Sequence, residues 1–216
     1  MPPIDNIFAV LVAGFFLSAT PGPSMLYVLS HSVGQNRTAG YASAFGLALG
    51  GMALAIATAL GLAQLFEQVP NIVVALRYVG SVYLVWLGLE MIWRARAASR
   101  AKLEVTTLAS KPISAIVWQG VIVELLNPKT VLFFALFLPP FVEAAQNSTT
   151  NDVRNQLLIL GALVPLTAIP SDILVAYMGG SLTNRLNQQQ KLREGMAWAG
   201  GSILILIAAN LHLGFI

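Results

Sequence analysis

Two short polar motifs interrupt apolar stretches of this sequence, and their residue types are those that bind ions and small polar ligands. The first motif comprises Thr20, Pro21, Gly22, Pro23 and Ser24, and the second comprises Glu124, Asn127, Pro128 and Lys129. Proline has no amide hydrogen, so in a helix it leaves the carbonyl four residues earlier without its partner. Pro21 thereby frees the carbonyl of Leu17, and Pro128 frees that of Glu124. Inside a membrane such carbonyls are tolerated only in protein or beside water, so the motifs predict a polar cavity.

Charged side chains lie in the same apolar surroundings. Glu124 and Lys129 belong to the second motif, and Asp172 follows Pro170 in a later apolar stretch. An ionised side chain at the centre of a bilayer costs about 2.5–3.5 kcal/mol even on a lenient scale, so we expect Lys129 to pair with Glu124 or Asp172. A purely structural ion pair is the alternative, although leucine would stabilise the fold at lower cost.

The coupling ion stays open at this point. Glu124 and Asp172 are both candidate proton carriers, because a buried carboxylate can take up a proton near neutral pH. Sodium bound by freed carbonyls and hydroxyls is the other possibility.

The elements that position these residues are predicted to be membrane helices. The chain has 216 residues, 56% hydrophobic and only 10% charged, whereas an average soluble domain is roughly 25% charged. A membrane helix needs about 20 mostly apolar residues. Six stretches qualify, namely Ile4–Ser30, Ala42–Phe66, Asn71–Trp93, Ile113–Pro139, Gln156–Gly180 and Gly195–Leu213. No basic residue precedes the first stretch, so we interpret it as a retained helix and not as a cleaved signal peptide.

Lysine and arginine are distributed unevenly between the two sides of these helices. One side receives nine of the twelve, namely Arg37, Arg94, Arg96, Arg100, Lys102, Lys111, Arg185, Lys191 and Arg193. The opposite side receives only Arg154, while Arg77 and Lys129 fall inside apolar segments. The positive-inside rule makes the first side cytoplasmic, so both termini are predicted to face outward. The net charge of +3 is modest and clustered between apolar runs, which argues against nucleic acid as a partner.

The two halves of the chain resemble each other weakly. YVGSVYLVWLGL aligns with AGGSILILIAANL, and the two proline motifs lie in the first and fourth segments. We therefore predict one all-α transmembrane domain over residues 1–216, with inverted three-helix repeats at about 1–95 and 113–216 and a cytoplasmic linker at about 94–112. Inverted repeats with interrupted helices are typical of secondary transporters. Gly46 and Gly50 predict close helix packing, and the oligomeric state stays open, a homo-oligomer included.

Other function classes fit the sequence less well. It contains no cysteine and two histidines, so we expect neither a metal site nor a cofactor. It contains no HExxH, GxSxG or glycine-rich phosphate motif, which argues against an enzyme. Ser24 and His31 are the one candidate pair of nucleophile and base, but seven residues place them about 10 Å apart along a helix. A non-transporting subunit would have no need of buried charge beside paired helix breaks.

Several stretches together resemble a known family. They are TPGPSMLYVLS with GQNRTAGYASAFGLALG, LRYVGSVYLVWLG, and QGVIVELLNPKTVLFFALFLPPFV. The sequence is similar to the LysE superfamily of amino-acid exporters, specifically its RhtB branch, over the whole chain. A common pattern of that family has asparagine where this chain has Ser24, so a substrate contact by an amide is not carried over to that position.

The resemblance implies a secondary-active exporter of amino acids or related small metabolites in the bacterial inner membrane. It implies an antiport in which protons enter as the amino acid leaves. The family motifs fall on Pro21, Gly22, Pro23, Asn127, Pro128 and Lys129, with Asp172 as the acid of the fifth helix. Export of cations, which other branches perform, is the alternative.

Each polar group then has an expected role. Amides at the broken first helix would meet the substrate carboxylate, and Asp172 or Glu124 would meet the ammonium or exchange the proton. Asn127 and Thr20 would add neutral hydrogen bonds. The exported compound is not identified. Four neighbouring apolar residues favour a neutral, branched side chain if they line the site, and the alternative is that they face lipid. They are Met25, Leu26, Phe133 and Phe134.

Overall fold

The computed structural model describes residues 1–19, 22–68, 72–100, 111–142, 149–188 and 190–213. These residues form eight α-helices and contain no strand. The helices are α1 (Ile4–Ala19), α2 (Pro23–Gly34), α3 (Arg37–Gln68), α4 (Ile72–Arg100), α5 (Ile113–Leu125), α6 (Pro128–Leu132), α7 (Thr150–Gln188) and α8 (Gln190–Leu213). A π-helical turn at Phe133–Phe137 and a 3₁₀ turn at Pro139–Phe141 follow α6. The all-α prediction is confirmed.

The first and fourth predicted segments are each divided into two helices at the proline motifs. α1 and α2 are inclined by 51°, and α5 is inclined by 49° to the helical stretch Pro128–Phe141. At the second break, the Asn127 side chain accepts a hydrogen bond from the Lys129 amide at 3.1 Å, which caps α6. Pro128 occupies the first helical position, where a missing amide hydrogen leaves no bond unmade.

Two helices in the described part of the chain are long and apolar enough to cross a bilayer individually. They are the Arg37–Leu62 part of α3 and the Thr150–Gly179 part of α7. Each bent pair is a candidate for one more span, so the described residues contain two to four candidate spans. α4 and α8 cover the third and sixth predicted segments as helices.

Close contact at glycines brings α3 against α5, as the GLALG pattern predicts. A Cβ atom built on Gly46 would overlap the carbonyl oxygen of Val117, and one on Gly120 would lie 3.1 Å from the Cα atom of Gly46. On Gly50 it would lie 2.8 Å from the Cβ atom of Glu124. The small residues of α3 therefore set how closely α5 and its glutamate approach.

Gly46→Ala is expected to destabilise the protein, because a backbone carbonyl cannot move aside as a side chain can. Overpacking of this kind costs about 1–3 kcal/mol. Gly61→Ala on the same helix is the matched control, since a Cβ there meets nothing within 4 Å. It should be neutral or stabilising, because alanine exceeds glycine in helix propensity by about 1 kcal/mol. Thermal unfolding of the detergent-purified variants tests the pair, and equal melting temperatures would contradict this packing.

The core consists mainly of two apolar clusters, and the helix breaks lie between them. The larger cluster includes Leu17, Ala55 and Leu160, and the smaller one includes Met25, Leu47 and Val175. Along the first, second and fifth predicted segments, the described residues between the two clusters are 18–19 with 22–24, 48–51 and 165–174. Polar groups in these intervals are thus enclosed by apolar packing at both ends.

Candidate functional site

The two helix breaks contact each other directly. The Ser24 hydroxyl at the start of α2 donates a hydrogen bond of 2.5 Å to Oε2 of Glu124 at the end of α5. The Asn127 side-chain amide donates to Oγ of Ser24 at 2.9 Å. Residues that lie 100 and 103 positions apart in sequence therefore form one polar network.

Both oxygens of the Glu124 carboxylate accept hydrogen bonds. Ser24 binds Oε2, and the Thr130 hydroxyl donates to Oε1 at 2.8 Å. Hydrogen bonds to a charged acceptor are stronger than neutral ones. Glu124 thus connects α2, α5 and α6 at one point.

Lys129 donates a hydrogen bond to the Leu17 carbonyl, which Pro21 leaves without a helical partner. Its Nζ atom donates to the carbonyl oxygen of Leu17 at 2.6 Å. The Glu124 carboxylate, which accepts from Ser24 and Thr130, and the Asp172 carboxylate line the same cavity as Lys129.

The carbonyl freed by Pro128 also has a partner already. The backbone amide of Asn127 donates to the Glu124 carbonyl oxygen at 3.2 Å. The chain itself therefore supplies one donor to this carbonyl.

A cavity of about 50 Å³ lies between the breaks. Its polar lining comes from Ser18, Ser24, Glu124, Asn127, Lys129, Thr130 and Asp172. Its apolar lining includes Leu17, Met25, Leu47, Phe134 and Val164. It therefore presents acids, one lysine and hydroxyls within otherwise apolar walls.

Asp172 is placed differently from Glu124. It follows Pro165 and Ala168 on the face of α7 that lines the cavity, and it is 7% exposed. Among the described residues we find no hydrogen-bond donor to its carboxylate. Its carboxyl group thus faces the cavity and its contents.

The sequence model of one protein family, described as LysE type translocator, matches residues 15–214. The chain belongs to the LysE type translocator family. Members of this family are transporters, so this translocator is a transporter and not an enzyme.

Curated relatives extend over nearly the whole translocator. The leucine efflux protein of Enterobacter sp. (strain 638) is 28% identical over 206 residues, which cover 95% of this chain and 94% of the relative. The leucine efflux protein of Salmonella typhimurium is 28% identical over 202 residues, covering 94% and 90% of the two chains. An uncharacterized membrane protein of Pseudomonas aeruginosa is 26% identical over 211 residues, covering 94% and 92%. No solved structure matches the chain.

Most of the residues singled out from the sequence of this translocator meet at the cavity. Those that line it are Gly22, Ser24, Glu124, Asn127, Lys129 and Asp172. Pro23 and Pro128 are exposed at the first positions of α2 and α6, where they shape the breaks. Thr20 and Pro21 lie outside the described residues. Of the apolar candidates, Met25 and Phe134 line the cavity, whereas Phe133 is buried in the larger cluster and Leu26 is 37% exposed.

Sequence reasoning missed one group of the site and the partner of another. Thr130 directly follows Asn127-Pro128-Lys129 and donates to Glu124. Its hydroxyl beside this motif could have indicated a second donor to the glutamate. The Leu17 carbonyl was identified as freed. Its donor, Lys129, lies 112 positions away, and no motif near either residue predicts the contact.

Proposed function

We propose that this translocator is a secondary-active exporter of amino acids and that its substrates are neutral amino acids with an apolar side chain, such as leucine. The observation that supports this most is the cavity, where Lys129 and Asp172 offer opposite charges beside Met25, Leu47 and Phe134. A zwitterion with an apolar side chain has the complementary groups. The names of the curated relatives, leucine efflux proteins, point to the same substrate.

Transport requires this cavity to expand. Its volume of about 50 Å³ holds a few water molecules at most, since one occupies about 30 Å³ in the liquid. Sites that enclose small ligands commonly measure about 300–1,000 Å³. The described conformation therefore has a site that must widen to admit a substrate, and helices that line the cavity must move apart on binding.

The proposed architecture is a bundle of six membrane spans in two inverted repeats, in the bacterial inner membrane with both termini outside. The uneven distribution of basic residues supports the orientation. The likeness of YVGSVYLVWLGL in α4 to AGGSILILIAANL in α8 supports the repeat. These two helices pack closely, since a Cβ on Gly88 would meet the Gly201 carbonyl oxygen and one on Gly201 would meet the Gly88 carbonyl oxygen.

We expect efflux of labelled leucine from proteoliposomes or overexpressing cells to exceed that of protein-free vesicles or empty-vector cells. Lysine efflux should stay at the control rate, because a second cation would meet Lys129 in apolar surroundings. Profiling of amino acids in the growth medium extends the test to other neutral substrates. Efflux of lysine in preference to leucine would contradict the substrate assignment, and efflux of no amino acid would contradict the function.

Protons are the proposed coupling ion, with Asp172 as their carrier. Glu124 is less suited because two hydroxyls already donate to its carboxylate, whereas Asp172 faces the cavity. An uncoupler or external alkalinisation should therefore suppress leucine efflux, because inward proton movement then no longer drives export. The measurement is leucine efflux with a sodium gradient maintained while the pH gradient is collapsed. Efflux that continues unchanged under that condition would favour sodium.

A further inference from the structure

The Lys129–Leu17 bond joins the second helix break to the first at a defined place. Leu17 belongs to the last turn of α1, and Lys129 belongs to the first turn of α6. In a continuous helix the Leu17 carbonyl would accept from residue 21, which is proline and has no hydrogen to donate. The ammonium of Lys129, 2.6 Å away, supplies the missing donor. The end of α1 is therefore held to α6 by a side chain that also lines the cavity.

A second connection between the breaks uses different atoms. Ser24 in the first turn of α2 binds both Glu124 and Asn127. The two halves of the first predicted segment are thus held separately, α1 through Lys129 and α2 through Ser24. Loss of one connection leaves the other in place.

The two connections differ in how they respond to a carboxylate. Among the described residues that line the cavity, Lys129 is the basic one, and the bond that it donates to Leu17 goes to a neutral carbonyl. A carboxylate is a stronger acceptor for an ammonium than a neutral carbonyl is, and the difference increases away from water. Ser24 already donates to a charged carboxylate, so a second carboxylate gains little by displacing it.

We propose that the carboxylate of the substrate displaces the Leu17 carbonyl from Lys129 and so releases α1 from α6, while α2 stays held through Ser24. This inference rests on the proposed amino-acid export and states how site occupancy changes the angle between α1 and α2. Binding and helix movement are coupled because the same ammonium serves both partners, and a ligand shifts an equilibrium only through such differential contacts.

The absence of cysteine from the natural chain allows pairs of spin labels to report this movement. Phe15 on α1, Leu26 on α2 and Leu132 on α6 are 48%, 37% and 37% exposed, so each accepts a label without disturbing the core. The reporter pair is Phe15→Cys with Leu132→Cys, and the matched control pair is Leu26→Cys with Leu132→Cys. Distances between labels are measured by pulsed electron resonance in proteoliposomes.

Leucine should shift the main distance of the reporter pair and leave that of the control pair unchanged. Leucine amide has the same side chain and ammonium but no carboxylate, so it should produce no shift. A shift of equal size with leucine amide would overturn the proposal, and this comparison needs no change at Lys129. Labelled leucine that is transported without any shift of the reporter pair would overturn it too. Wild-type protein that transports no amino acid would instead refute the proposed function.

Variants separate this role from simple stabilisation. Lys129→Met should lower leucine efflux roughly tenfold or more, since it removes a bond to a charged group, and should abolish the shift. Pro21→Ala restores an amide hydrogen at residue 21, which can bond the Leu17 carbonyl. Added to Lys129→Met, it should restore the melting temperature but not efflux. Recovery of both would show that Lys129 only stabilises the break.

Discussion

Asp172→Asn is expected to abolish export while leaving membrane insertion and thermal stability intact. The Asp172 carboxylate is buried, lines the cavity and receives no hydrogen bond from the described residues, so its replacement by an amide breaks no described contact. The bond at issue is the one that the substrate ammonium would donate to Asp172. A hydrogen bond to a charged group is worth about 1.5–3 kcal/mol, which corresponds to roughly 10- to 100-fold in affinity for the substrate. Loss of the proposed proton carrier then removes the coupling as well.

The measurement is labelled leucine efflux, normalised to the amount of protein in the membrane fraction. Asp152→Asn is the matched control, because Asp152 lies on the same helix, is exposed and accepts from the Thr149 hydroxyl at 2.7 Å. Asparagine retains an acceptor at that position, so efflux should stay near the wild-type rate. Export by Asp172→Asn at the wild-type rate would show that Asp172 takes no part in substrate binding or proton transfer.

The helix breaks could be predicted from sequence because their cause is local. A proline lacks its amide hydrogen wherever the chain goes, and two motifs with prolines and polar neighbours stand out in apolar segments. α1 ends just before the first motif and α6 begins at Pro128. Helix packing at Gly46 was predictable for a related reason, since a missing side chain allows close approach in any surroundings.

Prolines alone do not determine where a helix ends, as α7 shows. It continues through Pro165 and Pro170, and its non-helical residue is Gly179, with φ 38° and ψ −114°. The Ser32 hydroxyl donates to the nearby Ala176 carbonyl oxygen at 2.5 Å. A proline in an apolar segment therefore does not by itself predict a break, and in α7 a glycine provides the non-helical residue.

The donor to the Leu17 carbonyl could not be predicted from sequence. Opposite charges direct attention to the acids as partners of Lys129, whereas a backbone carbonyl is present at every residue and leaves no mark in the sequence. Pro21 marks the Leu17 carbonyl as available, and only the fold brings Lys129 within 2.6 Å of it. Sequence thus indicated which groups need partners, and packing selected the partners.

Glu124→Ala is expected to show the opposite pattern to Asp172→Asn, with a large loss of stability. Two hydroxyls donate to the Glu124 carboxylate, and bonds to charged groups contribute about 1.5–3 kcal/mol each. Their combined loss is a substantial share of a total stability of about 5–15 kcal/mol. The melting temperature in detergent should therefore fall clearly, and the yield of folded protein with it.

A double-mutant cycle shows whether the Ser24–Glu124 contact accounts for this loss. Ser24→Ala should destabilise the wild-type protein but have little further effect in the Glu124→Ala background, because contacting residues are not additive. Ser30→Ala is the control on the same helix, since the Ser30 hydroxyl bonds only to the Leu26 carbonyl oxygen of its own turn among the contacts described. Additive effects of Ser24→Ala and Glu124→Ala would contradict the contact. Glu124→Ala that keeps wild-type stability but loses export would contradict this structural role. It would show that Glu124 binds the substrate or the proton, which is the role proposed here for Asp172.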